Sequence, residues 1–195
     1  MPPVALLLLL LTAPALGGHL QPSREDHATL AAFAQLRDPG IVGLMRHARA
    51  PGVGDPGSFT PGDCSTQRLL SDEGRTQARA IGEVLRRTGV TRAAVYSSAW
   101  CRCLETATLL DIGEVATRDF LNSFFRDQNG AATATVALRR AVLEKTSPRL
   151  PTLMVTHQVN ITALTGLVPA EGEIVFVRGT AAGDVVVVGR ARLRD

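Results

Sequence analysis

Aromatic residues are scarce in this chain, at 4% of its 195 residues, and no dense basic block stands near those present. That argues against nucleic-acid binding, which needs a clustered cationic face and usually stacking rings. Only three cysteines occur, Cys64, Cys101 and Cys103, with no fourth ligand at metal spacing. There is no His-Glu-x-x-His and no His-x-His either, so no familiar zinc pattern is present. Beyond the N-terminal region, no hydrophobic run is long enough to span a membrane, which takes about 20 residues. What is present is a 45% hydrophobic chain of a length that suits one domain with a substantial core. Its net charge is +3, and its basic residues are mostly arginine, spread along the chain. That balance fits an anionic small substrate.

The N-terminus reads "VALLLLLLTAPALGG", an apolar stretch of signal-peptide length followed by small residues. Ala13-Pro14-Ala15 and Ala15-Leu16-Gly17 each offer a small-x-small cleavage pattern, although no Lys or Arg precedes the apolar run. The expectation is a leader over residues 1–17 and one domain over 18–195, working in the periplasm or outside the cell. Export makes a disulfide possible. Cys64 could pair with Cys101 or with Cys103, leaving one thiol, or all three could be partly buried thiols. Cys101-x-Cys103 within a predicted helix matches redox Cys-x-x-Cys arrangements poorly.

Residues 25–37 have helical apolar spacing and stop before a Asp-Pro-Gly turn signal. Residues 41–45, "IVGLM", read as a short buried strand, and the Gly- and Pro-rich residues 50–63 as loop. Ser71 is a good N-cap for a helix with Asp72 and Glu73 in its first turn, ending at Gly89. "AAVYS" reads as a strand, and a helix is expected from near Ser98. "TATVALRRAVLEK" reads as helix, "TLMVT" as strand and "VNITALTG" as helix. "EIVFV" and "DVVVVGRARL" form a closing pair of strands. Strands alternating with helices predict an α/β layer fold with a mostly parallel central sheet.

In such sheets the ligand crevice lies beyond the carboxyl ends of the strands. "IVGLM" runs into Arg46 and His47, "AAVYS" into Ser98 with Arg102 one helical turn on, and "TLMVT" into His157. Two histidines and two arginines therefore gather at one sheet edge. A neutral imidazole is a competent nucleophile, and covalent catalysis divides one hard displacement into two easier ones. A phosphate monoester carries about −1.5 to −2 charge near neutral pH, and guanidinium forks match its oxygens. Helix N-termini after the His47 loop, after Ser98 and after His157 could add backbone donors. No metal or cofactor is called for.

In that order, "LMRHA", "LSDEGRTQARAIG", "YSSAWCRCLETA" and "MVTHQVNITALTG" resemble the motifs of the histidine phosphatase superfamily, branch 1, with the phosphoglycerate-mutase-like fold. The resemblance spans residues 41–166, with fold-like strands continuing to about 190. It implies a three-layer α/β/α sandwich. It implies His47 as the phosphorylated nucleophile, Arg46 and Arg102 as phosphate clamps, and His157 as the second histidine of the pocket. Lipopolysaccharide-core phosphatases of this superfamily make an envelope-associated phosphorylated substrate one possibility, beside other phosphorylated small molecules.

The sequence departs from the family pattern in three places. Ala48 and Gln158 stand where Gly is usual, and Ser123 stands where a Glu proton donor is common. Asp127 is the first candidate to replace that acid and Asp119 the second, since a leaving alkoxide must be protonated. The expected function is an exported phosphomonoester hydrolase. A phosphoglycerate-mutase-type phosphotransferase, a non-catalytic phospholigand-binding module and a thiol-based redox protein are the alternatives. Trp100 is expected as pocket wall or packing. His19 and His27 are assigned no role.

Overall fold

Six strands form one sheet in the order β3-β2-β4-β1-β5-β6 in the computed structural model, which describes residues 24–144 and 150–193. Here β1 is Ile41–Arg46, β2 Ala94–Ser97, β3 Val115–Thr117, β4 Thr152–Thr156, β5 Ile174–Gly179 and β6 Val185–Ala191. The pairs β3–β2, β2–β4 and β4–β1 are parallel, while β1–β5 and β5–β6 are antiparallel. The sheet is therefore mostly parallel, and the closing strand pair expected from the sequence is an antiparallel edge. The helices are α1 (Arg24–Ala34), α2 (Asp72–Arg87), α3 (Cys101–Leu109), α4 (Ala131–Leu143) and α5 (Gln158–Thr165). The predicted leader lies outside the described residues, as does Lys145 at the expected end of α4.

Alternation along the buried strands creates two cores. Ile41 and Met45 of β1, with Leu153 and Val155 of β4, face Phe33, Ile81, Leu85 and Cys103 of α1, α2 and α3. Val42, Leu44 and Met154 face the opposite way, onto Leu138 and Val142 of α4 and Ile161 and Leu164 of α5. The result is the three-layer α/β/α sandwich. At Gly43 a Cβ would come within 2.8 Å of Leu153 Cδ1, so the central strand admits no side chain there without repacking.

Helix α2 begins as expected. Ser71 Oγ accepts from the Gly74 amide at 3.1 Å, and Asp72 and Glu73 occupy the first turn. A Cβ on Gly74 would lie 2.0 Å from the Arg49 carbonyl oxygen, so this glycine lets the helix dock against the loop after His47. Helix α3 starts at Cys101 rather than near Ser98. The reason is local: Ser98 Oγ engages His157 and Asn122 instead of capping a helix. Among the described residues, no helix is long and apolar enough to cross a membrane.

Candidate active site

The carboxyl ends of β1, β2 and β4 open into a cavity of about 450 Å³ whose walls include Arg46, His47, Arg102, Ser123, Asp127 and His157. The five residues assigned to the site from the sequence, Asp127 among them, are therefore brought to one cavity. His47 is carried by the main chain: its amide donates to the Thr156 carbonyl at 3.0 Å, tying the end of β1 to β4. Next along, the Ala48 amide donates to Thr106 Oγ1 on α3 at 3.0 Å. Two adjacent backbone anchors thus fix the imidazole.

The tautomer of His47 follows from the hydrogen bond that its ring makes. Nδ1 lies 2.8 Å from the Ala48 carbonyl oxygen, which can only accept. Nδ1 is thus the protonated nitrogen, and Nε2 carries the lone pair. Burial pushes the pKa of His47 down to about 3, and Arg102, Arg68 and Arg46 add to the effect against the Ala48 hydrogen bond. The imidazole is neutral across the physiological range.

His157 is likewise neutral, held well below the ordinary imidazole range by burial, by His47 and by the same arginines. Its Nδ1 lies 3.3 Å from Arg102 Nη2, a group that only donates, so Nδ1 accepts. Nε2 then carries the proton and donates to Ser98 Oγ at 2.9 Å. Ser98 in turn donates to Asn122 Oδ1 at 3.2 Å. The two imidazole rings meet edge to face, with centroids 5.6 Å apart. Cys103, whose thiol burial pushes up to about 12, packs its sulfur 3.5 Å from His157 Nε2.

Sequence reasoning missed three contributors. Asp55 comes from the Gly- and Pro-rich loop and pairs with Arg102, Oδ1 to Nη1 at 2.7 Å and Oδ2 to Nη2 at 3.3 Å. Trp100 Nε1 and the Arg68 amide also donate to its carboxylate, each at 3.1 Å. Burial pushes the Asp55 carboxyl up, but these donors outweigh it and hold the group below the usual carboxylate range. The only sequence signal was that Asp55 is the sole acidic residue between His47 and Gly62. Arg68 is the second, a cavity-lining guanidinium that donates through Nε to the Gly54 carbonyl at 2.8 Å and through Nη1 to the Ala50 carbonyl. The third is Asn122, which holds both Ser98 and the Ala99 amide. Arg46 and Arg68 share a carboxylate neighbour, Glu171, at 3.6 and 3.9 Å.

The remaining expectations place as follows. Asp127 lies on the cavity wall, solvent-exposed, its carboxylate accepting from the Asn129 amide at 3.1 Å. Asp119 is exposed in a short 3₁₀ turn (Asp119–Leu121) and does not line the cavity. Trp100 is pocket wall, stacked on Phe59 at 5.0 Å between centroids and edge-on to His157 at 5.5 Å. Arg102 pairs with Asp55, while Glu105, its nearest carboxylate in sequence on α3, pairs with Arg75.

Of the helix N-termini expected to serve the site, two do not. No residue of α2 lines the cavity. At α3 the amides of Ala99, Trp100 and Cys101 already donate to Asn122, Ser98 and Gln67. Only α5 begins on the cavity wall, with Gln158 and Val159. Cys64 and Cys101 form a disulfide, the first of the two pairings open to the sequence, and Cys103 remains a buried thiol.

Two arginine nitrogens in this site, Nε of Arg46 and Nε of Arg102, are buried without a hydrogen-bond partner among the described residues. Buried charged donors rarely stay unmatched, and an anion with several oxygens is the natural complement.

Comparison with known proteins agrees with this reading of the fold. No curated protein matches the sequence. The chain is similar in structure to the protein histidine phosphatase SixA complexed with tungstate, at 16% identity and a TM-score of 0.55, over 78% of this chain and 96% of that one. It is similar also to a mycobacterial glucosyl-3-phosphoglycerate phosphatase in complex with VO3, at 19% identity and a TM-score of 0.56, covering 77% and 98%. A phosphoserine phosphatase from Entamoeba histolytica with 3-phosphoglyceric acid gives 14% identity and a TM-score of 0.56, covering 79% and 98%. Residues 42–122 match the family model described as histidine phosphatase superfamily, branch 1.

Proposed function

We propose that this chain is an exported phosphatase that hydrolyses phosphomonoesters through a phosphohistidine at His47. One observation carries the proposal: a buried imidazole, kept neutral down to about pH 3 and with its lone pair on Nε2, stands among guanidinium groups in an open cavity. In the first step the Nε2 lone pair attacks phosphorus, and the bond from phosphorus to the ester oxygen breaks. The departing alkoxide takes a proton, for which Asp127 on the cavity wall is the candidate donor. In the second step water attacks phosphorus, gives a proton to the Asp127 carboxylate left by the first step, and the P–N bond breaks. Inorganic phosphate leaves, and His47 is again neutral. Arg46, Arg68 and Arg102 stabilise charge on the equatorial oxygens. The chemistry needs no group beyond these side chains.

Several features support the finer points of this reading. The Cys64–Cys101 disulfide is the kind of bond that persists in an oxidising compartment, which agrees with the apolar leader and with export. Asp127 is solvent-exposed, and its carboxylate already accepts from the Asn129 amide. A non-catalytic phospholigand-binding role is therefore the second reading, favoured by Ser123 at the usual acid position.

The deciding experiment is a phosphoenzyme trap. The protein is mixed with 4-nitrophenyl phosphate, quenched in alkali, and the peptide bearing His47 is weighed by mass spectrometry. A phosphoryl adduct with turnover is expected, and His47→Ala should lose both, with activity falling at least about 10³-fold. Saturable orthovanadate binding without adduct or turnover would establish the binding role instead. Asp127→Asn should slow alkyl phosphates more than 4-nitrophenyl phosphate, whose leaving group needs no proton.

A further inference from the structure

We infer that the substrate's alcohol is an uncharged, apolar, ring-bearing group rather than a second anionic centre; the inference rests on the phosphatase reading. The first observation is where the scarce aromatics lie. Among the chain's six Phe, one Tyr and one Trp, Phe59, Phe125 and Trp100 all line this one cavity. Phe125 is 51% exposed and Val53 87% exposed, so the cavity carries apolar side chains that the protein itself does not cover. Phe125 lies close over Gly54, where an added Cβ would sit 3.6 Å from its ring. Phe59 and Trp100 form a stacked pair, with Trp100 edge-on to His157. Flat, preformed apolar walls of this kind suit a ring.

The second observation is charge. Arg46, Arg68, Arg102 and Arg126 line the cavity. Against them stand Asp55 on Arg102, Glu171 beside Arg46 and Arg68, and Asp127 on the wall. Both histidines are uncharged. Four cations against three carboxylates leave roughly one net positive charge for a phosphate of about −1.5 to −2. A substrate with a further carboxylate or phosphate would bring more negative charge than this balance matches, and the Asp55 carboxylate would repel it. The phosphoryl group is served by the arginines, and the rest of the molecule meets rings and Val53.

The test compares two monoesters whose parent alcohols are similarly weak leaving groups, 2-phenylethyl phosphate and glycerol 1-phosphate, with 3-phosphoglycerate as the anionic competitor. Turnover of 4-nitrophenyl phosphate is measured alongside to show that the enzyme is active. The expected result is a kcat/KM for 2-phenylethyl phosphate at least about tenfold above that for glycerol 1-phosphate, the discrimination that one apolar group in a pocket supplies. 3-Phosphoglycerate should be the poorest of the three. Phe125→Ala should bring the first ratio toward one by lowering the value for 2-phenylethyl phosphate. Turnover of 4-nitrophenyl phosphate with a ratio near or below one, or with 3-phosphoglycerate preferred, would overturn the inference while leaving the phosphatase reading intact. No turnover and no phosphoenzyme with any of these esters would overturn the phosphatase reading, and the inference with it.

Discussion

The candidate site has two halves that are held by different forces. One half consists of Arg46, His47 and His157, which sit where strands β1 and β4 end. Their positions follow from backbone ladders, such as the His47 amide on the Thr156 carbonyl, and from core side chains on both faces of the sheet. The other half is the loop from residue 50 to 68, bringing Asp55, Phe59 and Arg68. It has no sheet to rest on. It is held by the Asp55–Arg102 pair, by Arg68 reaching back to Gly54 and Ala50, by Arg126 Nη2 on the Asp55 carbonyl at 2.5 Å and by the Cys64–Cys101 disulfide. A nucleophile needs a fixed geometry, and a ladder provides it. A pocket wall that admits substrate is better held by a few separable contacts, which belong to the less stable part of a structure.

The sharpest way to break the second half is Arg102→Ala. It leaves Asp55 as a nearly buried carboxylate without its cation, and loss of one partner of a buried pair costs about 3–5 kcal/mol. Urea unfolding should show that loss. Asp55→Asn keeps the shape and should cost less, about 1–3 kcal/mol. It should also tighten orthovanadate binding, because a carboxylate no longer competes for the Arg102 fork. Equal losses in the two variants would mean that the loop is not held by this charge pair.

Removing the disulfide in Cys64→Ser/Cys101→Ser should cost about 2–4 kcal/mol, given a sequence separation of 37. Hydrogen exchange should then rise over residues 50–68 and stay low at the ends of β1 and β4. Exchange rising equally in both regions would erase the distinction between them.

The last test probes the first half through pH, where the effect is spread over several units. An unfolded imidazole binds a proton near pH 6.5, whereas buried His47 does so only near pH 3. Between those values the unfolded chain holds more protons, so stability rises with pH across the window and falls as the solution is acidified. Each such histidine contributes a slope of about 1.4 kcal/mol per pH unit. His157, depressed for the same reason of burial, adds to it. His47→Gln should flatten the stability profile by about that slope, measured as urea midpoints from pH 6.5 down to 4. An unchanged profile would place the His47 imidazole in water.

The residues at strand ends were legible because each follows a short apolar run: Arg46 and His47 after "IVGLM", His157 after "TLMVT". Periodicity marks the strand, and topology places its carboxyl end at the crevice. The start of α3 was misplaced because Ser98 looks like an N-cap in one dimension, while in three its hydroxyl is engaged by His157 and Asn122. Of the two cysteine pairings left open, only packing decided for Cys101, since Cys103 is buried in the core beside His157 and far from solvent.

The amino-acid sequence by itself determined the alternation of strands and helices, the two strand-end histidines and the arginine ahead of the first one. These depend on local hydrophobic pattern and on chain direction, and both are written in consecutive residues. Tertiary structure alone decided that Asp55 neutralises Arg102, that Arg68 joins the cation cluster, and that three scarce rings meet in one cavity. Those contacts join residues tens of positions apart through side chains on irregular backbone, where no periodicity records which partner each will find.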